Sequence, residues 1–179
     1  MTDTEKNELL EVTVKHHFVS AASRDEDVRR IRESMPREAW DALLHLNPPK
    51  FHEERYRIPF EDRTVPALDM DQFLFLAMKE GSQIPIGQAI CGVYPPSKIQ
   101  KDCYGGIFRL YVSPEYRDHK IGKALISKMV DVAREETRLH MNSLRVYVPD
   151  PPAEIVSHRI YRRLRFTRNE HGIYVRELY

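Results

Sequence analysis

The stretch whose reading decides the fold is Ile107–Met129, IFRLYVSPEYRDHKIGKALISKM. Its first part reads as a strand, which Ser113 and Pro114 terminate. Past Lys120, residues Ile121, Ala124, Leu125, Met129, Val132 and Ala133 fall on one helical stripe. An amphipathic helix is therefore expected to about Leu139. Between strand and helix lies a basic turn, Arg117-Asp118-His119-Lys120-Ile121-Gly122. A strand feeding a helix through such a turn points backbone N–H groups outward at the helix start, which makes a ready anion site.

Working outward, Gly106–Val112 is the full extent of that strand. Phe73–Met78 is a nearly continuous apolar run and reads as a central strand. The turn Lys79-Glu80-Gly81-Ser82 leads from it into a hairpin partner at Ile84–Tyr94. Gly87 and Gly92 there mark bulges or close approach. Val12–Phe18 alternates and is the first strand. A helix over Asp25–Met35 follows, with Ser23 and Glu26 spaced as a capping box. Pro36 breaks it, and Trp40, Leu43, Leu44 and Leu46 supply a second short apolar face. Residues 47–71 are rich in proline and charge. They read as a long irregular connection with one short strand at Tyr56–Phe60, either a substrate-facing wall or a solvated excursion.

On the other side of the opening stretch, Ser143–Val148 alternates as a strand and the prolines 149, 151 and 152 stop it. A short helix over Ala153–Leu164 comes next. A closing hairpin joins Phe166–Arg168 to Ile173–Leu178. The pattern is an α/β layout with a mixed central sheet flanked by helices. Residues 1–10 are expected to be flexible, and 11–179 to form a single domain.

Composition narrows the function classes. Lys plus Arg total 28 and Asp plus Glu 27, a formal net charge of +1. That balance argues against a general nucleic-acid binder. Cys91 and Cys103 are too few for a disulfide scaffold and form no CxxC zinc pair, so buried thiols in a reducing compartment are expected. No apolar run reaches the length of a membrane span, and MTDTEKNELLE carries no signal-peptide hydrophobic segment. A cytoplasmic or nuclear setting with no membrane partner is the expectation.

The central segment resembles the Gcn5-related N-acetyltransferase (GNAT) superfamily. That superfamily's motif runs from a strand ending Leu-x-Val-x-Pro, through Gln/Arg-x-x-Gly-x-Gly/Ala, into a helix. Here it reads Leu110-Tyr111-Val112-Ser113-Pro114, then Arg117 through Gly122 to Leu125. Arg117 takes the Gln/Arg position and Gly122 the second glycine position, while Lys120 replaces the first glycine. A second signature, Tyr followed by Gly-Phe, matches Tyr161 to Phe166, with Arg165 in place of glycine. The element order agrees from about Val12 to Leu178.

The resemblance implies the GNAT fold, with two parallel strands that splay apart, and transfer of an acetyl group from acetyl-CoA as co-substrate to an amine. No metal is implied. The cofactor-binding residues it implies are Leu110, Tyr111, Val112, Arg117, Asp118, His119, Lys120, Ile121, Gly122, Lys123 and Tyr161. Backbone N–H groups of the turn would meet the pyrophosphate, with Lys120 and Lys123 adding charge. A non-glycine at 120 is compatible with such a site if its backbone is ordinary helical. A strand N–H would polarise the thioester carbonyl. Tyr161 matches the tyrosine placed near the sulfur, so it is the candidate acid.

The base is open. Many relatives carry a Glu near the position Phe108 holds, and Phe108 cannot accept a proton. Glu154 and His158 are the catalytic candidates, with Asp150 or a water relay as alternatives. Arg159, Arg162, Arg163, Arg165 and Arg168, with Arg145, form a basic cluster at the last helix. It reads either as a solvated face or as an attractor for the adenosine 3′-phosphate or an acidic partner. The alternative to an enzyme is a catalytically weak acyl-CoA-binding regulatory protein on the same fold. Homodimers are common in the superfamily, though no segment of the sequence marks an interface.

Overall fold

The computed structural model describes residues 10–46, 55–57, 64–66, 70–96, 101–147 and 155–179. The expectations for residues 1–9, for most of the 47–69 connection and for residues 148–154 lie outside the described residues. The last of these include the proline stop, Asp150 and Glu154.

The elements, in chain order, are β1 (Val12–Val19), α1 (Arg24–Glu33), α2 (Arg37–Leu46), β2 (Arg55–Arg57), β3 (Thr64–Pro66), β4 (Gln72–Lys79), β5 (Pro85–Tyr94), β6 (Cys103–Val112), α3 (Ile121–Glu135), β7 (Met141–Tyr147), α4 (Ile155–Arg163), β8 (Thr167–Arg168) and β9 (Ile173–Glu177). Seven strands make one mixed sheet in the order β1-β4-β5-β6-β7-β9-β8, and β2 pairs with β3 in a small separate ribbon. Among the described residues, only β6 and β7 pair in parallel.

The period-2 alternation divides the sheet into two buried faces. Phe73, Phe75, Ala89, Cys91 and Ile107 face Leu125, Ile126 and Met129 of α3, and Tyr161 and Leu164 at α4 join that core. Leu74, Leu76 and Ile90 face the opposite way, onto Ile31 of α1 and Leu43 of α2. Burial on both sides explains why β4 reads as a nearly continuous apolar run instead of an alternating one. Leu125 and Leu74 are fully buried, and each such side chain contributes about 2–3 kcal/mol of transfer free energy.

Several expected boundaries shift. The Ser23–Glu26 capping box does not form. The Ser23 hydroxyl donates to Asp27 Oδ2 at 2.8 Å, and the same oxygen accepts the Ser20 N–H at 2.9 Å. Glu26 pairs instead with Arg30 at 2.6 Å. Asp27, one turn in, therefore ties down the start of α1. The long helix ends at Glu135, and a separate 3₁₀ turn covers Thr137–Leu139. The strand expected from Gly106 starts at Cys103, because Cys103–Gly106 can pair with β7. Tyr56 is in a strand as expected, and that strand pairs antiparallel with Thr64–Pro66.

The two thiols differ in environment. Full burial pushes the Cys91 thiol up to about 12. Cys103 is half-buried, and its thiol is raised first by desolvation and then by Asp102. In the folded protein at pH 8, a thiol reagent should label Cys103 and leave Cys91 until denaturant is added. Mass spectrometry of labelled peptides checks this. Equal labelling rates would contradict the packing described for β5.

Candidate functional site

The site begins where two neighbouring strands part. β6 and β7 pair only over Cys103–Gly106 and Met141–Arg145. Beyond Arg145, β7 stays with β9 as far as Tyr147 opposite Ile173. From Ile107 to Val112 the outer edge of β6 has no strand beside it among the described residues. Side-chain exposure agrees, since β6 passes from buried at Tyr104–Ile107 to half-buried at Phe108–Val112.

A β-bulge sits at the parting point. Ile90 pairs with Arg109 and Cys91 with Ile107, so Phe108 is the extra residue. Two glycines make room for its ring. A Cβ on Gly92 would lie 2.1 Å from the Phe108 ring, and one on Gly106 would lie 2.5 Å from Tyr94 and 3.1 Å from Phe108. Phe108 meets Tyr94 edge-on at 5.6 Å, Tyr94 stacks on Tyr104 at 4.7 Å, and the Arg145 guanidinium lies 4.2 Å from the Tyr104 ring centre. The cleft therefore has an aromatic floor on its α1–α2 side.

Strand alternation fixes which backbone groups the open edge offers. The Ser113 N–H donates to Ile86 O of β5 at 3.0 Å. Backbone direction alternates along a strand, so Leu110 and Val112 present their N–H and C=O groups to the open side. In agreement, Arg117 Nε donates to Val112 O at 3.2 Å. Arg117 thus braces the turn back onto the strand it left.

The turn itself carries unusual backbone. Pro114–Tyr116 is one 3₁₀ turn and Arg117 is extended. Asp118 has φ 70° and Lys120 φ 62°, and Nδ1 of His119 lies 3.0 Å from Arg117 O. Lys120 is the residue before α3, and no side chain caps that helix end. The first N–H to bond back into α3 is that of Ala124, to Lys120 O. Helix geometry leaves the N–H groups of Ile121, Gly122 and Lys123 with no carbonyl of their own helix. Ile121 is buried, so only its backbone is on offer, whereas Asp118, His119, Lys120 and Lys123 are exposed. A Cβ on Gly122 would meet only Ile160 at 3.4 Å and Leu110 at 3.8 Å, which is ordinary contact.

The condition of helical backbone at Lys120 is not met: the residue is left-handed. Arg165 behaves the same way, with φ 62°. At Arg165 the reason is visible. Phe166 N–H bonds Tyr161 O at 3.0 Å and Arg165 N–H bonds Arg162 O at 3.0 Å, the two bonds of a Schellman motif that ends α4. The Phe166 ring meets Tyr161 edge-on at 5.3 Å, the apolar contact that accompanies the motif. Both non-glycine residues thus keep a glycine's conformation. Left-handed backbone costs an L-residue about 1–2 kcal/mol, and glycine's extra unfolded-state entropy returns about 0.4–1. Lys120→Gly and Arg165→Gly should each raise stability by about 0.5–1 kcal/mol, or roughly 1–4 °C in Tm. Thermal denaturation tests this. A lowered Tm would show that side-chain contacts outweigh the strain.

Tyr161 is 3 % exposed and packs on Phe166 and on Tyr174 of β9, the latter at 5.8 Å between ring centres. His158, one turn earlier and half-buried, has Nδ1 2.8 Å from the Tyr174 hydroxyl. Fully buried Tyr174 therefore pins α4 at two successive turns. Sequence reasoning missed this role, and the apolar alternation of β9 was the only hint. Among the arginines, Arg159, Arg162, Arg163, Arg165 and Arg168 are exposed. Arg145 does not join them, since it lies over Tyr104. Among the described residues, no three His, Cys, Asp or Glu side chains are grouped to hold a metal ion, and no helix is long and apolar enough to cross a membrane.

Comparison with known proteins identifies the family. The sequence profile of the acetyltransferase (GNAT) family matches residues 37–166. No curated protein sequence matches the chain. Among solved structures, the NatC complex bound to Gag peptide and CoA superposes with TM-score 0.55 at 17% identity, covering 95% of this chain and 100% of that one. Arabidopsis thaliana NAA60 in complex with a bisubstrate analogue gives 0.51 at 15% identity, with 92% and 98% covered. The Escherichia coli GNAT family N-acetyltransferase YhbS in complex with CoA gives 0.50 at 16% identity, with 97% and 85% covered. At these identities the structures establish the shared fold.

Proposed function

Because the chain belongs to the acetyltransferase (GNAT) family, we propose that it transfers the acetyl group of acetyl-CoA to a primary amine by direct attack in a ternary complex. The acceptor is a small molecule, a peptide or a protein. The observation that carries this reading is the open edge of β6 beside the uncapped start of α3. An extended chain ending in a diphosphate needs those two features together. The backbone groups of Leu110 and Val112 would pair with the amides of the coenzyme's arm. The N–H groups of Ile121, Gly122 and Lys123, with the positive end of the α3 dipole, would take the diphosphate. Gly122 keeps that surface flat, and the Lys120 and Lys123 ammonium groups add charge.

In the reaction a nitrogen–carbon bond forms and a carbon–sulfur bond breaks. The nitrogen must shed a proton and the thiolate must gain one. We assign the second task to Tyr161, whose phenol suits a donor to a thiolate of pKa about 8.5. For the first task His158 and Glu154 stand as candidates. Nδ1 of His158 lies 2.8 Å from the Tyr174 hydroxyl, which orients the imidazole on α4. A Leu110 or Val112 N–H polarises the thioester carbonyl, and the apolar floor around Phe108 keeps water away from it. Much of the acceleration in such a site comes from positioning.

The alternative, a catalytically weak acyl-CoA-binding regulator, is favoured by one observation. Phe108 holds a position near which many relatives carry a Glu, and its ring fills the space that Gly92 and Gly106 leave open. A panel of amines assayed for free-thiol release separates the readings. Peptide α-amines belong in the panel because a neighbouring structure holds a peptide. Release above the hydrolysis background with at least one amine supports the enzyme. Tight acetyl-CoA binding without release supports the regulator. Lys120→Glu should weaken acetyl-CoA binding about tenfold by calorimetry, roughly what one phosphate-facing charge reversal is worth. Unchanged affinity would mean that the ammonium faces solvent.

A further inference from the structure

The strand at the other end of the sheet is built to be paired. β1 is the terminal strand, and among the described residues only β4 pairs with it, over eight residues from Val12 opposite Lys79 to Val19 opposite Gln72. Natural edges are blunted by proline, by bulges or by several charges. β1 has no proline, its register with β4 is unbroken, and Lys15 is its one lysine or arginine.

The backbone direction of this edge follows from a single bond. Glu80 N–H donates to Glu11 O at 3.0 Å, so the odd-numbered residues turn their backbone groups toward β4. Val12, Val14, His16 and Phe18 therefore turn theirs outward. A like-charge contact sits at the start of the same edge. The exposed carboxyl of Glu80 is held above the usual range by its hydrogen bond to, and the charge of, Glu11. No partner cation is paired with either carboxylate among the described residues. Four residues on, Lys15 is exposed and makes no ion pair among the described residues.

We propose that β1 pairs antiparallel with β1 of a second copy of this chain, with Thr13 on the two-fold axis. Several requirements are met in this one register. Val12 and Val14 of one copy lie opposite Val14 and Val12 of the other, and their outward N–H and C=O groups exchange bonds. The valines are already half-buried against the α3-side core, which the pairing extends across the junction. Thr13 meets Thr13 as a non-hydrogen-bonded pair. Glu11 of each copy lies opposite Lys15 of the other, on the same face, so each Glu11–Glu80 pair gains an ammonium. The interface is isologous and closes on itself, so it gives a dimer and not a fibre. β6 is the third strand inward from β1, which leaves each coenzyme cleft free.

Two measurements test the dimer. In a Cys103→Ser background, Thr13→Cys should cross-link across the axis under mild oxidation, because non-hydrogen-bonded partners have Cα atoms about 4.5 Å apart. Lys15→Cys, displaced along the strand from its copy, should not. By sedimentation equilibrium the wild type should approach twice the 21.1 kDa of one chain. Lys15→Glu should raise the dimer dissociation constant about tenfold, and Glu11→Lys combined with Lys15→Glu should restore it. A monomer at all concentrations would overturn the proposal and leave the edge to another protein's strand. Cross-linking from Lys15→Cys and not Thr13→Cys, or a dimer indifferent to both charge changes, would also overturn it.

Discussion

Tyr161→Phe is expected to lower kcat about 100-fold while changing the acetyl-CoA dissociation constant less than threefold. The reason is the separation of ring from hydroxyl. The ring is structural, since it holds Phe166 at 5.3 Å and Tyr174 at 5.8 Å and sits in the α3-side core. Phenylalanine keeps all of that, so the Schellman turn and α4 should stay in place, with melting temperature nearly unchanged. What the substitution removes is the hydroxyl to which the proposed function assigns protonation of the departing thiolate. A leaving group of lower thiol pKa should then recover part of the lost rate in the variant. An unchanged kcat would remove Tyr161 as the acid and return it to a packing role.

Gly92→Ala should be the most damaging single methyl in the chain outside catalysis. Its Cβ would lie 2.1 Å from Cε2 and 2.6 Å from Cζ of Phe108, with the Met70 methyl at 3.3 Å. Phe108 cannot simply swing aside. Its ring is bracketed by Tyr94 and rests over Gly106, and its backbone is the extra residue of the β6 bulge. Overpacking of this kind costs about 1–3 kcal/mol, or roughly 2–12 °C in Tm. The cleft should suffer too, because the bulge marks where β6 leaves β7. Turnover of the best amine should therefore fall with Gly92→Ala. Gly122→Ala is the control, since its Cβ meets nothing closer than 3.4 Å. It should fold at least as stably as the wild type. Equal melting temperatures for Gly92→Ala and wild type would contradict the packing of Phe108.

Much of this architecture is legible in the sequence, because periodicity reports burial. The nearly continuous apolar run of β4 announces a strand covered on both sides, and the stripe from Ile121 to Ala133 announces α3. The joint between β6 and α3 is legible for the same reason: an apolar strand, a proline stop and a polar turn precede the stripe. Other features depend on partners distant in the chain. The Phe108 bulge needs Gly92 and Gly106 on two other strands. Asp27 replaces the local capping box because Ser20 and Ser23 both reach it. The left-handed backbones at Lys120 and Arg165 are set by the turns they close, and residue type alone predicts the opposite. Tyr174 matters to α4 only once β9 has packed beneath it.

Amide hydrogen exchange with and without coenzyme A tests the central claim most directly, because it reads the backbone groups that the open strand edge and the helix start leave unpaired. Coenzyme A at saturation should slow exchange at Leu110 and Val112 on β6 and at Ile121, Gly122 and Lys123 at the head of α3. Ser113, already bonded to Ile86 O, should change little. Protection confined to other elements, or none at saturating ligand, would contradict the assignment of this cleft as the coenzyme site.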